Sequence, residues 1–98
     1  MSYDAIVIGA GHNGLTTAGV LAKRGKKVLI VEERQLNGGL ASSHEFHQGH
    51  RTNGLLQDTS LLRREAVKKL NLTKHGLVLE SSAPDFFTPS KEGKGLCL

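Results

Sequence analysis

Three glycines near the start of the chain are spaced as a backbone must be to lie against a bound phosphate. They occur in Gly9-Ala10-Gly11-His12-Asn13-Gly14, a G-x-G-x-x-G run. Each position meets a separate need. Gly9 allows a tight turn from a strand into a helix. Gly11 lets the backbone approach a pyrophosphate with no Cβ in the way, and Gly14 lets the helix pack closely on the strand. The N–H groups at the helix start, with the positive end of the helix dipole, then hold the anion.

A second group lies further on. Glu32 falls 18 positions after Gly14, where a carboxylate can accept both hydroxyls of an adenosine ribose and would repel a 2′-phosphate. NADP is therefore disfavoured. A βαβ unit from an unrelated doubly wound fold is the alternative reading. Glu32-Glu33-Arg34 is followed by Gly38-Gly39 and Leu40-Ala41. Two glycines soon after the ribose carboxylate let the chain turn back, so that their backbone runs along a second stretch of a long dinucleotide. That pattern favours FAD over NAD, because NAD dehydrogenases usually pass straight from the acid into a helix. An ordinary turn at Asn37-Gly38 is the bland alternative. The expected cofactor-binding residues are Gly9, Gly11, His12, Asn13, Gly14, Glu32, Glu33, Arg34, Gly38, Gly39, Leu40 and Ala41. Within this set the His12 ring is expected to face solvent or a loop, while Asn13 either reaches the flavin edge or caps the helix.

The elements that must position these residues are legible. Tyr3 to Gly9 reads as a buried parallel strand, with Ala5-Ile6-Val7-Ile8 continuously apolar as if helices covered both faces. A helix follows from about His12 to Arg24, with Leu15, Ala18, Leu21 and Ala22 as its apolar face and Gly25 just past its end. Val28 to Val31 is the second buried strand, which completes a right-handed βαβ unit. Gln35 to Gly39 is a turn, and Leu40 to Thr52 is polar with weak strand signals. A second helix is expected from Thr59 or Ser60, either of which can cap it, to Leu70, with Leu62, Ala66 and Leu70 on one face. Leu77 to Glu80 reads as a short strand. Phe86-Phe87-Thr88 and Gly95 to Leu98 read as a hairpin joined through Lys91 to Lys94. The fold class is α/β, a Rossmann-like FAD/NAD(P)-binding unit.

Tyr3 to Leu15 resembles the opening of phytoene-dehydrogenase-related FAD oxidoreductases, most closely the pyridine nucleotide-disulfide oxidoreductase domain-containing group. The likeness continues through Lys27 to Glu32, Gly38 to Ala41, Glu45-Phe46-His47 and His75-Gly76-Leu77, and is specific in the first half. It implies an FAD domain with the fold of the glutathione reductase and amine oxidase superfamily, and a later segment that completes the flavin site. Amine oxidases often carry arginine directly after the glycine pair. Leu40 stands there instead, which favours the desaturase-like branch. No Cys-x4-Cys pair follows the second strand, so this segment holds no dithiol relay.

Residue composition narrows the classes. Net charge is +4, gathered in Lys23 to Lys27 and Arg63 to Lys69. No aromatic residues are interleaved with these charges, which reads as helix ends and a solvated face and not as a nucleic-acid surface. A single cysteine, Cys97, allows no internal disulfide, fits a reducing cytoplasmic setting and is expected to be a small core residue. No signal peptide is expected, nor any membrane-spanning run. His44, His47 and His50 are three apart. In an extended chain such neighbours point to opposite faces, so no zinc or iron site is expected. No nucleophile–base pair or paired carboxylates occur, which is consistent with flavin chemistry.

The chain stops within an apolar segment and is expected to be the N-terminal part of an FAD domain, with the remainder and a substrate domain elsewhere. The parent is expected to be an FAD-dependent oxidoreductase whose flavin accepts hydride from a small organic substrate, apolar if the desaturase likeness extends that far. Membrane contact is expected only through the missing part. The rivals are a non-catalytic or truncated dinucleotide-binding module and, more weakly, an NAD-dependent dehydrogenase.

Overall fold

The computed structural model describes residues 1–53, 55, 62–79 and 86–97. Its centre is the βαβ unit. Strand β1 (Ala5–Ile8) leads into helix α1 (His12–Lys23) and then strand β2 (Val28–Val31). The strands are parallel, in the register Ala5↔Val28 to Ile8↔Val31. Apolar β-branched residues dominate both, and a crossover helix is what parallel pairing requires. Asp4 ties the bottom of the pair. Its backbone N–H donates to the Lys27 carbonyl at 2.8 Å, and its carboxylate accepts from the Lys27 N–H at 2.7 Å.

Helix α1 ends in two reciprocal bonds. Gly25 N–H donates to the Ala22 carbonyl at 2.9 Å and Lys26 N–H to the Leu21 carbonyl at 3.1 Å. Gly25 adopts φ +77° to allow this, which is the role expected of it.

Burial in the βαβ unit differs from the expectation. Among the described residues only one face of the sheet is covered, by α1. Along β1, Ala5 and Val7 are half-buried while Ile6 and Ile8 are 63% and 88% exposed. Among the described residues nothing packs on the second face, so alternation replaces the two-sided burial expected of a parallel sheet. Ala18 on α1 is buried, but Leu15 and Ala22 are exposed. Gly14 lies directly against the strand, at the Gly9 carbonyl and Val7, while Leu21 of the expected face is half-buried.

After β2 the chain makes a short 3₁₀ turn at Gly39–Ala41. A hairpin follows, formed by β3 (His44–His47) and β4 (His50–Thr52). Helix α2 (Arg64–Leu70) begins later than expected. Arg63 is its N-cap, in extended geometry and with no side-chain cap. Leu62 therefore lies outside the helix, and the candidate caps Thr59 and Ser60 lie outside the described residues. Leu70 of α2 rests on Gly19 of α1, and Lys23 Nζ donates to the Lys69 carbonyl at 2.8 Å. Leu77 to Leu79 form no strand. An extended apolar segment becomes one only with a pairing partner, and Glu80 lies outside the described residues.

The expected second hairpin is present as β5 (Phe87–Thr88) and β6 (Leu96–Cys97), paired Phe87↔Cys97. Cys97 is exposed there and not a core residue. A two-stranded ribbon has no interior unless something covers it. Among the described residues no helix is long and apolar enough to cross a membrane.

Candidate dinucleotide site

The glycine run sits where β1 becomes α1. Gly9 adopts φ +99°, a conformation that L side chains rarely enter, and continues the strand ladder by donating to the Val31 carbonyl at 2.7 Å. Gly14 faces back onto the strand. A Cβ there would clash with the Gly9 carbonyl oxygen and press on Val7 Cγ1 at 3.4 Å. Gly11 is the N-cap of α1 and offers no side-chain cap to the helix N–H groups. A Cβ on Gly11 would meet only Gly39 Cα, at 3.9 Å. The three glycines thus differ: one turns, one packs, and one stands at a helix N-terminus within contact distance of Gly39. No acidic residue of the helix's own first turn offsets its positive end.

The Gly38–Gly39 turn folds back onto this loop. Gly38 N–H donates to the Ala10 carbonyl at 2.7 Å, and Gly38 forms a parallel bridge with Gly11. Both glycines have positive φ, +111° and +59°, and a Cβ on Gly39 would sit 3.1 Å from Gly11 Cα. The chain does turn back at this pair, and it does so against the first glycine loop. Ser42 fixes the turn by donating from Oγ to the Gly39 carbonyl at 2.8 Å.

Glu32 ties the two loops together. Its Oε2 accepts from Ala10 N–H at 2.7 Å and its Oε1 from Arg34 N–H at 3.0 Å. These bonds hold its pKa below the usual carboxylate value, the Arg34 N–H contributing most and the Ala10 N–H next. The carboxylate therefore stays charged at neutral pH. Each oxygen keeps a lone pair, so two vicinal hydroxyls can still be accepted.

Not every expected residue joins this cluster. Glu33, Leu40 and Ala41 are exposed beside it, and the His12 and Asn13 side chains are exposed at the start of α1. Asn13 does not cap the helix, because the N-cap is Gly11. Arg34, Gly39 and Leu40 line a cavity of about 150 Å³ with Ser42, His44 and Leu55. A larger cavity of about 430 Å³, lined by Arg64, Val67, Lys68, Asn71, Thr73 and Leu79, holds none of the expected residues.

Sequence reasoning missed Ala10 and Ser42. Ala10 is buried at 2% exposure and bonds to both Glu32 and Gly38 through its backbone, so its side chain carried no signal. A hydroxyl three residues past a glycine pair was a signal for Ser42.

The model of the NAD(P)-binding Rossmann-like domain matches residues 7–57, just over half of the chain. The chain belongs to the NAD(P)-binding Rossmann-like domain family. This domain carries the α/β fold read from the sequence. The resemblance to the pyridine nucleotide-disulfide oxidoreductase domain-containing group also holds. The mouse pyridine nucleotide-disulfide oxidoreductase domain-containing protein 2 is 42% identical over 90 residues, 92% of this chain and 16% of the relative. A limonene dehydrogenase polypeptide of Castellaniella defragrans is 58% identical over 43 residues, 44% of the chain and 8% of the relative. The rat all-trans-retinol 13,14-reductase is 47% identical over 58 residues, 59% of the chain and 8% of the relative. The chain thus spans about one sixth of the first of these relatives. No solved structure matches it.

Proposed function

We propose that this chain binds the adenosine end of FAD and is the N-terminal part of an FAD-dependent oxidoreductase. The observation that carries the reading is the return of Gly38–Gly39 onto Gly11, beside the Glu32 carboxylate. The two backbones lie side by side, which suits a pyrophosphate continuing past the ribose into a longer cofactor. In this arrangement Gly11 and the start of α1 take the phosphates, and Glu32 takes the ribose hydroxyls. Gly38 and Gly39 line the path toward the flavin, with Arg34, Leu40 and Ala41 at its side. When bound, FAD supplies hydride acceptance from a C–H bond, while the chain supplies binding and orientation. Two relatives are named for acting on limonene and on retinol, which supports the expectation of a small apolar substrate handled by residues beyond these 98.

The test is an absorbance spectrum of the purified protein, as this chain and as any longer product of the gene. Flavin bands near about 450 nm, with FAD recovered on denaturation, would support the reading. A colourless longer form that takes up NAD but not FAD would overturn it and favour a nicotinamide-dependent enzyme.

A further inference from the structure

The β3–β4 hairpin carries an arrangement that the cofactor site does not use. Read as an extended chain, His44, His47 and His50 alternate faces. A two-residue turn, Gln48-Gly49, separates the last two and changes that relation. Gly49 adopts φ +77°, as the second residue of a tight turn often must. His47 and His50 then become direct cross-strand partners. Directly opposed residues share a face of the ribbon, and the two imidazole centroids lie 5.5 Å apart with the rings inclined at 47°.

The Gln48 carbonyl also favours one tautomer of His50. Its Nδ1 lies 3.0 Å from the Gln48 carbonyl oxygen. A carbonyl only accepts, so Nδ1 bears the hydrogen and the neutral ring presents an Nε2 lone pair. An imidazole anchored through N–H to a carbonyl is the usual arrangement of a metal-ligating histidine. A second polar contact holds the turn, since Gly49 N–H donates to Glu45 Oε1 at 2.6 Å.

We propose that His47 and His50 form a bis-imidazole site for a borderline transition-metal dication, with Cu²⁺ preferred over Ni²⁺ and Zn²⁺. Two imidazoles on one ion, each with its nitrogen about 2.1 Å away, place their ring centroids roughly 5 Å apart. The observed 5.5 Å lies close to that separation. Both residues are exposed, so an ion reaches them without opening the fold. Among the described residues no third metal-ligating side chain converges with them, and water completes the coordination. An incomplete nitrogen set favours Cu²⁺ by the usual affinity order, whereas Zn²⁺ in a structural site is nearly always held by four protein ligands. Hard oxygen-seeking ions such as Mg²⁺ and Ca²⁺ are excluded by the same chemistry. The ion bridges the strands on either side of the turn and clips a ribbon that is weak by itself. This site is independent of the dinucleotide reading.

The experiment is a Cu²⁺ titration of the chain followed by electron paramagnetic resonance. The wild type is expected to bind one equivalent, with superhyperfine splitting from two nitrogens. His47→Gln and His50→Gln are each expected to lose one nitrogen and bind at least about tenfold more weakly. His75→Gln, on a separate segment, is expected to behave as the wild type. Hydrogen exchange of the hairpin amides should slow when Cu²⁺ is added to the wild type and not when it is added to the double variant His47→Gln/His50→Gln. Unchanged copper binding in that double variant, or no stoichiometric binding by the wild type, would overturn the proposal.

Discussion

Replacing Gly14 by alanine tests the packing on which the whole site rests. The added methyl would be driven into the Gly9 carbonyl oxygen, far inside the 3.0 Å that real Cβ atoms respect, with the Gly9 carbonyl carbon at 3.1 Å and Val7 Cγ1 at 3.4 Å. The first obstacle is backbone, so no side-chain rotation relieves it, and α1 must retreat from β1 by roughly 1 Å. Overpacking of this kind costs about 1–3 kcal/mol or more. Alanine offsets about 1 kcal/mol of that through its better helix propensity. Because the clash is with backbone, the upper end of that range applies, and the net expectation is a loss of about 2 kcal/mol, which lowers the urea midpoint by about 0.7–2 M at the slopes usual for small domains. Because the retreat moves the helix N-terminus, FAD or ADP affinity should fall as well. Gly25→Ala is the control. It has φ +77° and open space around its Cβ position. It should therefore lose about 1–2 kcal/mol to backbone strain alone, at the far end of the helix, with ligand affinity unchanged. A Gly14→Ala chain as stable as the wild type, with unaltered affinity, would refute the account of how helix and strand meet.

Three further outcomes are expected. Glu32→Gln should weaken ADP binding in isothermal titration, because the carboxylate that holds the Ala10 and Arg34 N–H groups is gone. In the wild type the Glu32 pKa is lowered, so its contribution to stability is fully present above about pH 4.5 and is lost only as the pH falls through the lower folded value. Urea midpoints should thus show no Glu32-dependent change between neutrality and that point, and a wild type–minus–Glu32→Gln difference that disappears in stronger acid. Leu70→Ala should destabilise by about 1–2 kcal/mol, since the half-buried Leu70 rests on Gly19; equal midpoints would argue against the α1–α2 contact. Cys97 is exposed and should react with a thiol reagent in the native protein as fast as in urea.

What was legible in the sequence is what local rules determine. Gly9, Gly11 and Gly14 announced the turn, the close approach and the packing because each replaces a side chain that would be strained or in the way. Gly25 announced a helix end for the same reason, and Val28 to Val31 could hardly be anything but a strand. The rest depends on what lies opposite. Ile6 and Ile8 read as buried because the run around them is apolar, yet exposure is decided by whether a second layer exists. Leu77 to Glu80 read as a strand, but among the described residues Leu77 to Leu79 have no partner to pair with. The pairing of His47 with His50 was hidden because a turn of two residues makes opposed neighbours of positions that alternate in an extended chain. Ala10 was invisible because it acts through its peptide group.

The side of the β1–β2 pair that no described residue covers has a practical consequence. Ile6 and Ile8 lie there at 63% and 88% exposure, and Val31 on β2 is 47% exposed. Oily strips on a short open sheet invite association between molecules, and a net charge of +4 offers modest repulsion against it. Yield of the soluble chain should fall steeply with concentration and with added salt. An Ile8→Lys change should widen the range over which the material can be handled, without touching the site on the other side of the turn.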